Sequence, residues 1–372
     1  MTPIFRLADL MIQGAGKTLE GMGFGPVESP SRIIAETTGM RVRLYEHVDG
    51  GEHPGAGTVL ILPSPIKRPY IWDLTPPASA VRRFLERGLR VGMAEFVEPD
   101  RSMDELGLDD HAHRFPLMAL DALAALDGPA SGGPVTVTGH SLGGSIAAVF
   151  AARHPDRLDN LLIFDAPLRF GPDSSPLAAW VSAMPHASRF RQWLGSPIPG
   201  SYIDLVLSLS APLNQQFERM EDRVAALMVP GGWLLHTRLE RWFLDSVKLP
   251  GRLFEDVMER LYRHDELGRG TLDVAGRAVG LDDVRARTLM VVNLLSQLAP
   301  ERAVEKAKAC LPRADVLPWG TEPGAASSHV AALAGPLAHR DLWPRILDWM
   351  GPPALRAPAP DDIECAAGTL MA

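Results

Sequence analysis

The chain has 372 residues, 46% of them hydrophobic and 22% charged, enough for one large domain with an insertion and an ordinary balance for a buried core. Its formal net charge of −8 argues against a nucleic-acid partner, whose footprint would be basic. No apolar run reaches about 18 residues, which excludes a transmembrane helix. The two cysteines, Cys310 and Cys365, lack metal or redox spacing, so free thiols, no bound metal and a cytoplasmic protein are expected.

Residues 1–25 lack the charged start, apolar centre and small-residue cleavage site of a signal peptide. Ile4, Leu7, Leu10 and Met11 recur at helical spacing, which predicts a short amphipathic helix packed on the body, with surface attachment as the alternative. From about 41 to 165, strand-like and helix-like segments alternate, the pattern of a mostly parallel sheet covered by helices. Residues 41–47 (RVRLYEH) alternate apolar and polar and read as a strand near one edge, and 58–62 (TVLIL) as a buried strand. Residues 80–89 carry Val81, Phe84 and Leu85 on one helical face, and 90–96 form the next strand. Residues 113–126 read as a helix with Pro116 in its first turn. A strand at 135–138, a helix at 142–153 and a strand at 161–164 come next.

The alternation then stops. Residues 169–270 are helical, broken by prolines and glycines, and carry Trp180, Trp193, Trp233 and Trp242. A block of that size between strands reads as a helical cap over the sheet. Strands resume at 288–295 and 314–318, and a helix at 341–350 closes a single domain spanning 1–351. Residues 352–372, which begin PPALRAPAPDD, read as a disordered tail.

Gly139-His140-Ser141-Leu142-Gly143 matches G-x-S-x-G, with an apolar strand directly before it and a small-residue helix directly after. That context marks a nucleophile elbow. The serine sits on a strained strand-to-helix turn, and the helix aims its first amides and positive dipole end at a developing oxyanion. Ser141 is thus the expected nucleophile and the Leu142 amide one oxyanion donor. Adjacent residues at such a turn diverge, so His140 packs beside the elbow instead of acting as base. A hydroxyl needs a base to take its proton, and in chain order the histidine comes last. Of His329 and His339, His329 is preferred, because it sits in a small-residue loop directly after the 314–318 strand.

Three stretches are more specific. Residues 63–74 (PSPIKRPYIWDL), residues 249–281 (from LPGRLFEDVMERLYRHDELGRG onward) and the box Gly139 to Gly144 resemble polyhydroxyalkanoate synthases over about residues 41–350. The resemblance implies an α/β-hydrolase fold: a mostly parallel central sheet flanked by helices, with a large helical cap insertion. It also implies an enzyme working on acyl or hydroxyacyl groups, and aligns Ile66 with the second oxyanion donor, Ser64 being the alternative because Pro63 and Pro65 have no N–H. Two departures stand out. The family uses cysteine where this chain has Ser141, and thiolate suits repeated exchange with thioesters, whereas serine suits hydrolysis. The family's catalytic aspartate falls on Ser296 here. Asp165, ending the strand after the nucleophile helix, is the expected replacement, as in lipases that draw their acid from this earlier strand; the alternative is that Asp165 anchors the cap and the triad is incomplete or unconventional.

The expectation is a cofactor-free serine hydrolase of a small or oligomeric carboxylic ester or thioester. It acts through Ser141, His329 and Asp165, with Leu142 and Ile66 at the oxyanion. The alternatives are a synthase-like acyltransferase using hydroxyacyl-coenzyme A, and a non-catalytic relative that binds polyester granules or a synthase partner. Homo-oligomerisation through the cap is a further possibility for its partners.

Overall fold

The computed structural model describes residues 3–46, 57–126, 133–210, 224, 226–228, 231–293, 296–320 and 329–351. The expected tail at 352–372, with Cys365, lies outside them. In chain order the helices that matter are α1 (Pro3–Leu19), α2 (Ala80–Glu86), α3 (Phe115–Ala124), α4 (Leu142–Arg153), α5 (Pro176–Ala183), α6 (Ala187–Leu194), α7 (Gly200–Ser210), α8 (Gly232–Phe243), α9 (Gly251–Glu255), α10 (Glu266–Arg269), α11 (Glu301–Cys310), α12 (Ala331–Ala334) and α13 (Trp343–Met350). The principal strands are β1 (Ser31–Thr37), β2 (Met40–Tyr45), β3 (Thr58–Leu62), β4 (Arg90–Phe96), β5 (Val135–His140), β6 (Asn160–Phe164), β7 (Arg287–Val292) and β8 (Ala314–Pro318).

These eight strands make one sheet in the order β1-β2-β4-β3-β5-β6-β7-β8. β1 pairs antiparallel with β2, and β2 antiparallel with β4. From β4 onward every pairing is parallel. This is the α/β-hydrolase fold. The order places the ends of β5, β6, β7 and β8 side by side, so loops leaving those four strands converge.

Helices cover both faces, which explains why β3 is apolar from Val59 to Leu62. Val59 and Ile61 pack with Phe84 of α2 and Trp343 of α13, while Leu60 and Leu62 pack with α3 and α4 on the opposite face. α2 starts where Ser79 accepts from the Arg82 amide, a side-chain N-cap. The 41–47 reading falls one strand inside the true edge. β1, whose alternation is weak, is the edge strand that sequence reading misses. A further hairpin, Leu272–Val274 with Arg277–Val279, lies just past the expected end of the cap.

α1 forms, but the face expected to pack is the one in solvent. Ile4 is 71% and Leu7 57% exposed, with Leu10 and Met11 exposed as well. The docked face is Phe5, Asp9, Ile12 and Gly16. Asp9 accepts from the Ser201 amide at 2.8 Å, at the N-terminal end of α7, and Phe5 meets Tyr202 edge-on at 5.5 Å. A carboxylate at a helix N-terminus is favoured by the dipole and satisfies an otherwise unpaired amide. That polar anchor decides the face. α1 therefore joins α7 and α8, part of the helical insertion between β6 and β7. Among the described residues no helix is long and apolar enough to cross a membrane.

Two of the buried histidines, His111 and His339, lie apart from the Ser141 turn. His111 Nδ1 meets the Gly107 carbonyl and His339 Nε2 the Leu333 carbonyl, both at 2.8 Å, and burial lowers each imidazole to about 4. Their folded pKa lies below the unfolded value, so below pH 6.5 the unfolded chain binds protons that the native one refuses. Stability from this source is complete above pH 6.5 and declines as the medium acidifies toward 4. Urea unfolding is expected to show the protein about 2–3 kcal/mol less stable at about pH 5.5 than at about pH 7.5. Equal or greater stability at the lower pH would contradict it.

Candidate active site

β5 ends at His140, and α4 begins at Leu142, leaving Ser141 alone on the turn with φ +55° and ψ −132°. That left-handed backbone is held by the Ser141 amide donating to the Phe164 carbonyl at 3.0 Å, and by Gly144 and Ser145 donating to the Ser141 carbonyl. The glycines are steric necessities. A Cβ on Gly139 would overlap the backbone of Gly143, and one on Gly143 would overlap the Leu62 carbonyl and lie 2.8 Å from the Ser64 amide nitrogen. The loop after β3 thus runs directly over the elbow. α4 is buried along nearly its whole length, so its dipole end is fixed beneath Ser141. The Leu142 amide is the first of that helix and finds no acceptor within it.

Asp165, the first residue after β6, also has positive φ, +38°, with its amide donating to Val291 of β7 at 2.8 Å. Its carboxylate is turned under His329. Nδ1 of His329 lies 2.5 Å from Asp165 Oδ2, and because a carboxylate only accepts, Nδ1 is the donor. This fixes the tautomer that keeps the ring's lone pair on Nε2. The aspartate is almost wholly buried, and its Oδ1 has no hydrogen-bond partner among the described residues. A charge so placed depends on the imidazole for compensation.

His140 is tied to the backbone of His329. Its Nε2–H donates to the His329 carbonyl at 2.8 Å, and the two rings lie 4.4 Å apart. Burial, with His329 alongside, holds the His140 imidazole well below its ordinary pKa, so it stays neutral. His339 lies elsewhere, stacked on Trp343. Ser296 spends its hydroxyl accepting from the Leu298 and Ala299 amides, at 3.3 and 3.2 Å, at the turn that leads into α11.

Ser141, Leu142, Asp165 and His329 open onto one cavity of about 390 Å³ whose far wall is the helical insertion. Ile66 and Ser64 line it from the β3 loop, Ile12 from α1, and Leu177, Ile203, Val206, Phe254 and Met258 supply an apolar surface. The β3 loop is clamped to the insertion. Lys67 Nζ donates to the Phe243 carbonyl at 2.7 Å and to Ser246 Oγ at 3.1 Å and pairs with Asp204 at 3.0 Å; the Trp242 indole donates to the Arg68 carbonyl at 2.8 Å. The arrangement suits acyl-group chemistry: a hydroxyl lining the cavity, a base with a buried carboxylate behind it, amides at a helix N-terminus and a greasy cleft.

No family model matches the chain. It is 24% identical to the poly(3-hydroxyalkanoate) polymerase subunit PhaC of Haloferax mediterranei over 326 residues, which is 87% of this chain and 64% of that protein. It is 23% identical over 338 residues to the subunit of the same name from Allochromatium vinosum, covering 91% of this chain and 93% of that one. The chain is an α/β-hydrolase that resembles the polyhydroxyalkanoate synthases. Among solved structures it is similar to naproxen esterase from Bacillus subtilis, with a TM-score of 0.48, 14% identity and coverage of 92% of this chain and 98% of that one. The chain spans less than two thirds of the Haloferax protein.

In this synthase-like α/β-hydrolase, two features escape sequence reading. The hydrogen bond from His140 to the His329 backbone joins residues 189 apart, and no local signal announces it. The Lys67 clamp has a faint one: a basic pair, Lys67-Arg68, within a proline-rich segment that has apolar neighbours. Motif and chain order point to the site residues one by one, whereas the contacts among them depend on loops from three separate strands.

Proposed function

We propose that this protein is a serine acyl hydrolase whose triad is Ser141, His329 and Asp165. The observation that carries the reading is the 2.5 Å contact of Asp165 with His329, made between the loops after β6 and β8 in the sheet whose β5 ends in the Ser141 elbow. His329 Nε2 takes the Ser141 proton as Oγ attacks an ester or thioester carbonyl, then passes it to the departing alcohol or thiol. Water, activated by the same nitrogen, releases the acid from the acyl-enzyme. Asp165 stabilises the imidazolium, and the amides of Leu142 and Ile66 receive the oxyanion. The apolar cavity supports an acyl or hydroxyacyl substrate, and the chemistry calls for no cofactor.

A second reading is supported by the names of the relatives: transfer of hydroxyacyl groups from coenzyme A to a growing polyester. The nucleophile separates the two. Passing an acyl group from a serine ester back to a thiol runs uphill, because a thioester is the higher-energy acyl donor, whereas hydrolysis of the serine ester is downhill. Serine therefore favours hydrolysis over repeated thioester exchange. Incubation with 3-hydroxybutyryl-coenzyme A is expected to release free acid and thiol in equal amounts. Thiol release with acid missing and polymer accumulating would establish the second reading instead.

A further inference from the structure

The geometry points to the Ser64 hydroxyl as an additional oxyanion donor, a catalytic residue for the carbonyl oxygen of the ester or thioester; this rests on the hydrolase reading above. Ser64 Oγ is buried and has no hydrogen-bond partner among the described residues. Of the buried hydroxyls in that condition, it is the one that lines the active-site cavity. A hydroxyl removed from water without a partner is unfavourable in the folded protein, and such orphans gather where a ligand completes them. The position fits: a Cβ on Gly143, two residues past the nucleophile, would lie 2.8 Å from the Ser64 nitrogen, so Ser64 sits against the elbow itself.

The local sequence makes the hydroxyl useful. Pro63 and Pro65 flank Ser64 and have no N–H, so this part of the loop offers fewer amides than an ordinary one. A hydroxyl supplies the missing donor, and it rotates freely to follow an oxygen as it moves out of the carbonyl plane. During attack, the Ser141 Oγ–carbon bond forms and the carbonyl π pair moves onto oxygen. The Ser64 O–H donates to that oxygen, keeps its proton, and is released when the carbonyl re-forms and the leaving group departs with the proton from His329. The Lys67 clamp holds the loop in register, so little reorganisation is needed.

The test compares Ser64→Ala and Ser64→Thr with wild type, using p-nitrophenyl butyrate and a butyryl thioester. Ser64→Ala is expected to lower kcat about 100-fold with KM within about twofold, since a transition-state donor is lost and ground-state binding is not. Its Tm is expected to hold or rise, because an unpaired buried group is removed. Ser64→Thr retains the hydroxyl and is expected to keep most of the rate. A Ser64→Ala kcat within about twofold of wild type would overturn the proposal, as would an equal loss in both variants. If wild type shows no turnover that depends on Ser141, the hydrolase reading fails first and takes the proposal with it.

Discussion

A Ser141→Ala variant is expected to lose about 10⁵- to 10⁶-fold in kcat on a carboxylic ester and all labelling by a fluorophosphonate probe. Losses of this size arise when the atom that forms the covalent intermediate is removed, because the rest of the machinery then acts only on adventitious water. The substitution is structurally mild. The Ser141 side chain makes no capping hydrogen bond to α4, and the strained backbone is held by main-chain bonds to Phe164, Gly144 and Ser145 that alanine preserves. An unchanged melting curve beside lost labelling would therefore locate the effect in chemistry. Persistent labelling in Ser141→Ala would place the reactive serine elsewhere and end the proposed mechanism.

Asp165→Asn is expected to lower kcat about 10⁴-fold while leaving the nucleophile in place. The substitution keeps the shape and removes the charge. With an amide nitrogen facing it, His329 would carry its proton on Nε2, where it cannot accept from Ser141. With the amide oxygen facing it, the tautomer is right but the imidazolium is left without a counter-charge. Asp165 is buried with one oxygen on His329 and the other without a partner among the described residues. Ser296 hydrogen-bonds its own turn. Steady-state kinetics decide: Asp165→Asn activity above about a tenth of wild type would show that this carboxylate does not orient the base.

Much of the frame is legible without coordinates. The limits of β8 and α4 and the core of β3 to β6 arise from apolar runs and turn residues acting over five to a dozen positions. The exposed face of α1 is not legible, since helical periodicity separates two faces without saying which is docked. Here the polar Asp9 lies inside, on the α7 terminus, and four large apolar side chains lie outside. β1 escapes because an edge strand is stabilised by its one neighbour's backbone more than by any burial pattern of its own.

For the site, sequence by itself determined the elbow: glycine where a side chain would strike backbone, a serine between strand and helix, and a histidine far downstream. These are local steric and chain-order constraints. Only the tertiary structure decided that Asp165 and His329, 164 residues apart, share a hydrogen bond, that His140 grips the His329 backbone, and that Ser64 carries an unspent donor. The reason is that β6, β7 and β8 lie side by side in the sheet, and side-chain contacts between loops depend on that lateral packing, which no sequence interval encodes.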